Sequence, residues 1–134
     1  MTERGELSRG IQIVRFVWMA GFVVGTTTHI ADLVLGGSAV YAGYPGAVRV
    51  FWISLTLLDP LAVILLLRRQ RTAVPLGVLI MLADVAVNVT VAATLGGLGL
   101  QGLITQSLFC AFVLVTAVPL WRAFSNPIRE SRRE

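Results

Sequence analysis

The stretch VFWISLTLLDPLAVILLL, residues 50–67, lies between Arg49 and Arg68 and contains one charged side chain, Asp59. Its length approaches the roughly 20 apolar residues that a helix needs to cross a ~30 Å hydrocarbon core. Three further apolar segments of similar length occur at about residues 11–35, 72–95 and 103–121. The bilayer interior offers no water to the backbone, and these segments lack a barrel's alternation. The sequence therefore predicts an all-α integral membrane protein, with a single four-transmembrane-helix bundle over residues 1–134.

The composition and the distribution of arginine support this prediction and give it an orientation. Hydrophobic residues make up 56% of the chain and charged residues 13%, against about 25% charged in soluble domains. All 11 basic residues are arginine, and only Arg49 lies between the first and second apolar segments. By the positive-inside rule, the others place both termini and the 68–71 connection in the cytoplasm of a multi-pass cell-membrane protein. They are Arg4, Arg9, Arg15, Arg68, Arg69, Arg71, Arg122, Arg129, Arg132 and Arg133.

The arginine content does not indicate a nucleic-acid-binding protein. The arginines form short clusters beside the apolar segments, where anionic lipid headgroups are the simpler partner. The basic and aromatic interleaving of a nucleic-acid groove is absent from the sequence. Membrane lipids are therefore predicted partners and nucleic acid is not. Gly21 and Gly25 form a small-xxx-small pair that favours close helix contact, either within the bundle or in a homodimer.

No sequence pattern predicts a cofactor. GLGLQG, residues 97–102, matches the pattern GxGxxG, but it follows a membrane helix rather than a strand and predicts a tight turn. A metal bound by His29, Asp32 and Asp59 would rest on i, i+3 spacing alone, so no metal site is predicted. The lone Cys110 lies within an apolar segment and is predicted to pack there without a chemical role.

Two carboxylates stand near the centres of predicted membrane helices, Asp59 in the second and Asp84 in the third. On insertion scales a central Asp costs about 2.5–3.5 kcal/mol, so the pair opposes insertion by roughly 6 kcal/mol. Such residues face the bundle interior or a water-filled cavity, and a functional site is the default interpretation. His29, Asn88 and Gln106 fall at similar depths on the extracytoplasmic side of these acids.

A stripe of side chains on the second helix leads to the same place. Trp52, Thr56 and Asp59 are spaced i, i+4 and i+7, which puts them on one helix face. The sequence therefore predicts a pocket on the extracytoplasmic side of the bundle. The predicted catalytic residues are Asp59, Asp84 and His29, and the predicted substrate-binding residues are Asn88, Trp52, Thr56, Gln106 and Asp32.

The polar residues toward the membrane surface also have structural interpretations. Asp32 and Arg49 stand at the two ends of one connection and could form an interfacial ion pair. His29 could be a core residue that bonds a hydroxyl within Thr26–Thr28. Both alternatives stay open at the level of sequence.

The central polar residues have such alternatives too. Asp84 and Asn88 could act as hydrogen-bond partners between helices, and Asp59 could compensate for the backbone bond that Pro60 removes. If the two carboxyls share one interior site, burial and mutual repulsion favour one proton shared across the pair. A neutral acid beside a base is a device for general acid–base catalysis.

The layout resembles a known group of proteins. A four-helix membrane chain with intramembrane His29, buried carboxylates, a facing Trp52 and the tripeptide Asp59–Leu61 resembles the emopamil-binding and sigma-2 receptor-like (EXPERA-type) membrane proteins. It is similar in style to the small integral-membrane terpene cyclases. The first resemblance implies a four-helix pocket for a lipophilic amine or sterol, and the second implies buried acids that protonate an olefin or epoxide.

Three functions are compatible with these features. The first is an enzyme that isomerises or cyclises a lipophilic, isoprenoid-like molecule, with Asp59 or Asp84 as the proton donor. In this enzyme His29 and Asn88 orient the substrate or accept its proton, and the π face of Trp52 stabilises a cationic intermediate. The alternatives are a proton-coupled exporter of hydrophobic cations and a non-catalytic subunit that binds a lipophilic ligand.

Overall fold

The computed structural model describes residues 6–126, which form four long helices joined by short connections. Helix α1 spans Arg9–Gly36, α2 spans Gly46–Leu67, α3 spans Ala73–Thr94 and α4 spans Leu100–Ser125. No strand occurs within residues 6–126. Each of the four helices is long and apolar enough to cross a membrane, as the sequence predicted. Four arginines of the orientation argument, Arg4, Arg129, Arg132 and Arg133, lie outside the described residues.

The ends of the helices follow from local chemistry. Helix α1 begins after Ser8, whose hydroxyl accepts from the backbone N–H of Ile11 at 3.4 Å, and it stops at Gly37, which has a φ of 57°. Pro45 precedes α2 at a position where its missing N–H leaves no helical bond unmade. Gly96 and Gly97 have φ of 70° and 82°, a conformation that favours glycine, and they reverse the chain before α4.

Two of the predicted boundaries are corrected. Helix α2 begins at Gly46 rather than at residue 50, because a charged residue at a helix end does not stop the helix; the Arg49 N–H donates to the Pro45 carbonyl at 3.1 Å. Helix α4 begins at Leu100 and continues through Pro119 to Ser125, rather than spanning residues 103–121. The last three residues of GLGLQG are therefore helical, and the turn covers residues 95–99.

The four helices run alternately up and down. Each helix packs against two others, in the order α1, α2, α3, α4 and back to α1. Arg15 near the start of α1 donates to the carbonyls of Leu66 (2.8 Å) and Leu67 (3.2 Å) at the end of α2, where a cation also complements the helix dipole. We call the end that carries the connections 37–45 and 95–99 the Tyr44 end, and the end that carries residues 68–72 the Arg68 end.

Aromatic side chains fill the half of the bundle toward the Arg68 end. Trp18 is fully buried and donates from its indole N–H to the Thr116 hydroxyl at 2.9 Å, which joins α1 to α4. A Cβ atom on Gly77 of α3 would lie 2.7 Å from the Trp18 ring, so the indole reaches across the core. Phe109 of α4 packs on Gly21, and its ring lies 5.7 Å from that of Phe22. The contact at Gly21 is thus made within the bundle.

Candidate functional site

The buried polar groups meet at mid-height, between α2 and α3. Asp59, Asp84 and Asn88 are 4%, 6% and 6% exposed, and they are the buried polar residues of the described chain. Asn88 follows Asp84 by one helical turn, so the two share the face of α3 that looks into the bundle. Asp59 faces them from α2, close enough to Asp84 for the two carboxyls to interact electrostatically.

Asn88 is the hub of a hydrogen-bond network that joins three helices. Its carbonyl oxygen accepts from the indole N–H of Trp52 at 2.8 Å. Its amide group donates to Asp84 Oδ1 at 3.0 Å and to Gln106 Oε1 at 2.8 Å. We call Trp52, Asp84, Asn88 and Gln106 the Asn88 network. It uses the polar groups of α2, α3 and α4, and it holds Asp84 in a fixed position.

Asp59 stands outside this network. Its carboxyl packs on Gly25 of α1, where a Cβ atom would collide with it. No hydrogen bond reaches the Asp59 carboxyl from any other described residue. A buried polar group without a partner loses the free energy of its hydration with nothing in exchange, which makes such groups rare in native structures. Asp59 is therefore placed to meet a proton or a ligand.

Two polar side-chain atoms on α1 and α2 are buried without a partner, His29 Nδ1 and Thr56 Oγ1. His29 lies one turn from Gly25 on α1, and Thr56 lies one turn from Asp59 on α2. Pro60 has no N–H to donate to the Thr56 carbonyl, which loses its usual helical partner as well. We call His29, Thr56 and Asp59 the unpartnered set.

The free hydroxyl of Thr56 is unusual within this protein. The other threonines inside the described helices each donate to a carbonyl of their own helix, which is the common way to satisfy a hydroxyl in lipid. These are Thr26, Thr27, Thr28, Thr90, Thr94, Thr105 and Thr116. The Thr56 hydroxyl is oriented differently, and it is left available in the interior.

An aromatic cluster closes the Tyr44 end above these groups. The rings of Tyr41 and Tyr44 lie 5.0 Å and 4.9 Å from the ring of Trp52. A Cβ atom on Gly97 would lie 2.9 Å from the Tyr44 hydroxyl, so the cluster touches the α3–α4 connection as well. We call Tyr41 and Tyr44 the lid. Because both tyrosines pack on Trp52, the indole is held between the lid and Asn88.

The structure separates Asp32 from the buried acids. Asp32 is exposed, and its Oδ2 accepts from the Tyr41 hydroxyl at 3.0 Å. Burial, followed by this hydrogen bond and the charge of Asp32, raises the pKa of Tyr41 from 10.0 to about 12. In residues 6–126 the hydrogen-bond partner of Asp32 is Tyr41 rather than Arg49, so a tyrosine contact replaces the interfacial ion pair that the sequence left open.

The predicted site residues thus fall into three places. Asp84, Asn88, Trp52 and Gln106 are brought together in one network. His29 Nδ1 and Thr56 Oγ1 are buried without a partner, and the Asp59 carboxyl packs on Gly25. Asp32 lies above them at the surface. No group of three or more His, Cys, Asp or Glu side chains suited to a metal ion occurs in the described residues.

Three contributors to the site escaped the sequence analysis. Tyr41 and Tyr44 supply the lid, and Gly25 supplies the seat for Asp59. The signal for the tyrosines was available, since both lie in the short connection that leads into α2, the helix of Trp52. The role of Gly25 depends on which helix packs against it, and a single sequence does not specify helix–helix contacts.

Compared with protein-family models, with curated proteins and with solved structures, the chain shows no match.

Proposed function

We propose that this protein is an integral membrane enzyme that isomerises or cyclises a lipophilic, isoprenoid-like molecule by general acid–base catalysis. The observation that carries the proposal is the Asp59 carboxyl, which is buried mid-bundle without a hydrogen-bond partner. A carboxyl in that position exchanges a proton with a bound molecule more readily than one that is fixed by donors. The apolar side chains of the core exclude water from the carboxyl and suit a lipophilic substrate.

The two acids have different roles in this proposal. Asp59 gives a proton to the substrate, or takes one from it, at the unpartnered set. Asp84 accepts a hydrogen bond from the amide of Asn88 at 3.0 Å. It acts on Asp59 through its charge and does not transfer the proton itself. His29 Nδ1 and Thr56 Oγ1 orient the reacting end of the molecule. Trp52 lies on the same face of α2 as Thr56 and Asp59, and its ring stabilises positive charge that develops on carbon.

The site lies toward the Tyr44 end, and we propose that this end faces the extracytoplasmic side. The basis is the arginine distribution, since Arg15, Arg68, Arg69, Arg71 and Arg122 all lie at or near the Arg68 end. Anionic lipid headgroups are the proposed partners of that end. A lipophilic substrate is the proposed partner of the interior.

Photolabelling and turnover measurements test this function. Two probes are used, a photoreactive farnesol analogue, which is neutral, and a photoreactive long-chain alkylammonium, which is cationic. The neutral probe is expected to label wild type at the helix faces around Asp59, and isoprenoid turnover is expected to vanish in Asp59→Asn. The conservative Asp84→Asn should retain measurable turnover, because the amide preserves most of the network. Thr90→Val, which removes a hydroxyl bonded to its own helix, is the matched control.

A second function, export of hydrophobic cations, is favoured by one specific observation. The Thr56 carbonyl and the Asp59 carboxylate accept hydrogen bonds and do not donate, which suits a protonated amine. Labelling by the alkylammonium probe alone, in competition with protons and without turnover, would support export instead. If Asp59→Asn and Asp84→Asn do not change labelling by the neutral probe, the result would support a non-catalytic binding subunit.

A further inference from the structure

A row of groups on one face of α1 connects the surface to Asp59. Gly25, His29 and Asp32 are spaced i, i+4 and i+7, so they lie above one another on the helix. Gly25 seats the Asp59 carboxyl, His29 is partly buried with a free Nδ1, and Asp32 is exposed. Three titratable groups therefore stand at three depths, from the surface of the Tyr44 end to the middle of the bundle.

The opposite end offers no comparable route within residues 6–126. Below Asp59 the core is filled by apolar side chains that are at most 2% exposed, including Trp18, Phe22, Leu66 and Leu120. The ionisable side chain nearest that end of the core is Arg15, which is engaged by the carbonyls of α2 and does not release its proton. No carboxyl or imidazole lies between Asp59 and the Arg68 end in the described chain.

We propose that Asp32 and His29 form a one-sided proton path, through which Asp59 exchanges protons with the Tyr44 side of the membrane only. Asp32, held by the Tyr41 hydroxyl, attracts a proton to the imidazole by its negative charge. The ring takes the proton on one nitrogen and becomes an imidazolium. It then releases the Nδ1 proton to the Asp59 carboxylate, so that one N–H bond breaks and one O–H bond forms.

The path rests on the proposed function in one respect only, that Asp59 changes its protonation state. The titratable groups on the neighbouring helices are Asp84 on α3, which interacts with Asp59, Cys110 on α4, which interacts with Asp84, and His29 and Asp32 on α1, which interact with each other. His29 is the member of this group that lies between the surface and Asp59. In this role it acts through Asp59, and reloads the acid between turnovers.

Infrared spectroscopy after a rapid pH jump tests the path without any ligand. The protein is reconstituted into phosphatidylcholine vesicles in random orientation, and the carboxylic C=O band that disappears in Asp59→Asn is followed over time. With one-sided access the wild-type band rises in two phases. Molecules with the Tyr44 end outward respond first, and the rest respond as the lumen acidifies. A single fast phase would contradict one-sided access.

Variants on the path separate proton transfer from structure. His29→Gln should slow the fast phase by about ten-fold or more while the final amplitude of the band is kept. Imidazole added to His29→Ala should restore the rate, which a merely structural role for the ring would not produce. Thr28→Val, at the adjacent position and with its hydroxyl bonded to Gly25, is the control and should leave both phases unchanged.

The outcomes distinguish this proposal from the proposed function. An unchanged rate in His29→Gln, or no response of His29→Ala to imidazole, would overturn the path and leave the catalytic role of Asp59 intact. If no carboxylic band depends on Asp59, that residue does not titrate, and the proposed catalytic function fails with the path. Asp32→Asn is expected to slow the fast phase less than His29→Gln, since water can supply protons directly to the ring.

Discussion

Replacing Gly25 by alanine perturbs the site through a single methyl group. The added Cβ atom would collide with the Asp59 carboxyl, which then has to leave its seat on α1. Alanine gains about 1 kcal/mol of helix propensity over glycine, whereas overpacking a fitted interior costs about 1–3 kcal/mol. The collision involves a short side chain anchored on a packed helix, so it should prevail over propensity. Gly25→Ala is therefore expected to destabilise the bundle by about 1–2 kcal/mol.

Gly102→Ala is the matched control for this experiment. Nothing lies within 4 Å of the position that a Cβ on Gly102 would take, so only the propensity gain remains. This variant should be as stable as wild type or up to about 1 kcal/mol more stable. The assay is reversible unfolding in mixed detergent micelles, and the two glycine variants should differ by roughly 2 kcal/mol.

A double-mutant cycle identifies the group that causes the effect. Asp59→Ala removes the carboxyl that the new methyl group meets, so Gly25→Ala should cost little or nothing in that background. A coupling energy of about 1 kcal/mol or more between the two sites is expected. Equal stability of Gly25→Ala and Gly102→Ala would refute the contact between the Asp59 carboxyl and Gly25 of α1. A cost of Gly25→Ala that Asp59→Ala leaves unchanged would refute it as well.

Three other predictions concern the Asn88 network, Tyr41 and the orientation of the helices. Asn88→Leu removes the hub of three hydrogen bonds and should cost about 2 kcal/mol, at roughly 0.6 kcal/mol per bond plus the unsatisfied partners; unfolding in micelles measures this, and no loss would contradict the network. Because the pKa of Tyr41 is raised from 10.0 to about 12, the free energy of unfolding should fall as the pH rises across that interval. The fall should be smaller in Tyr41→Phe. Cysteine introduced at Gly43 should react with an impermeant reagent outside the cell, and cysteine at Gln70 should not; the reverse pattern would invert the orientation.

The helices were predictable because their signal is local. A bilayer requires about 20 apolar residues per helix, and an apolar run such as residues 50–67 can be recognised from the sequence alone. Helix ends were less accurate, since Arg49 and Arg122 interrupt an apolar pattern without interrupting a helix. Hydropathy describes the solvent that a segment prefers, whereas a helix ends where its backbone bonds end.

The burial of Asp59, Asp84 and Asn88 was predictable, but their different hydrogen bonding was not. Intramembrane polar residues are costly enough that Asp59, Asp84 and Asn88 point to the interior from the sequence alone. Which acid is held by donors depends on side-chain geometry between helices. Asn88 lies one turn from Asp84 on its own helix and binds it, whereas Asp59 meets a glycine that offers no donor. That distinction requires three-dimensional packing.

The central claim is that Asp59, rather than Asp84, exchanges the proton at this site. The most direct measurement is labelling and turnover with the isoprenoid probe from about pH 5 to pH 9, for wild type, Asp59→Asn and Asp84→Asn. We expect wild type and Asp84→Asn to vary with pH, and Asp59→Asn to be inactive and flat while still folding like wild type. A wild-type profile that is flat over this interval and identical in both variants would contradict the account.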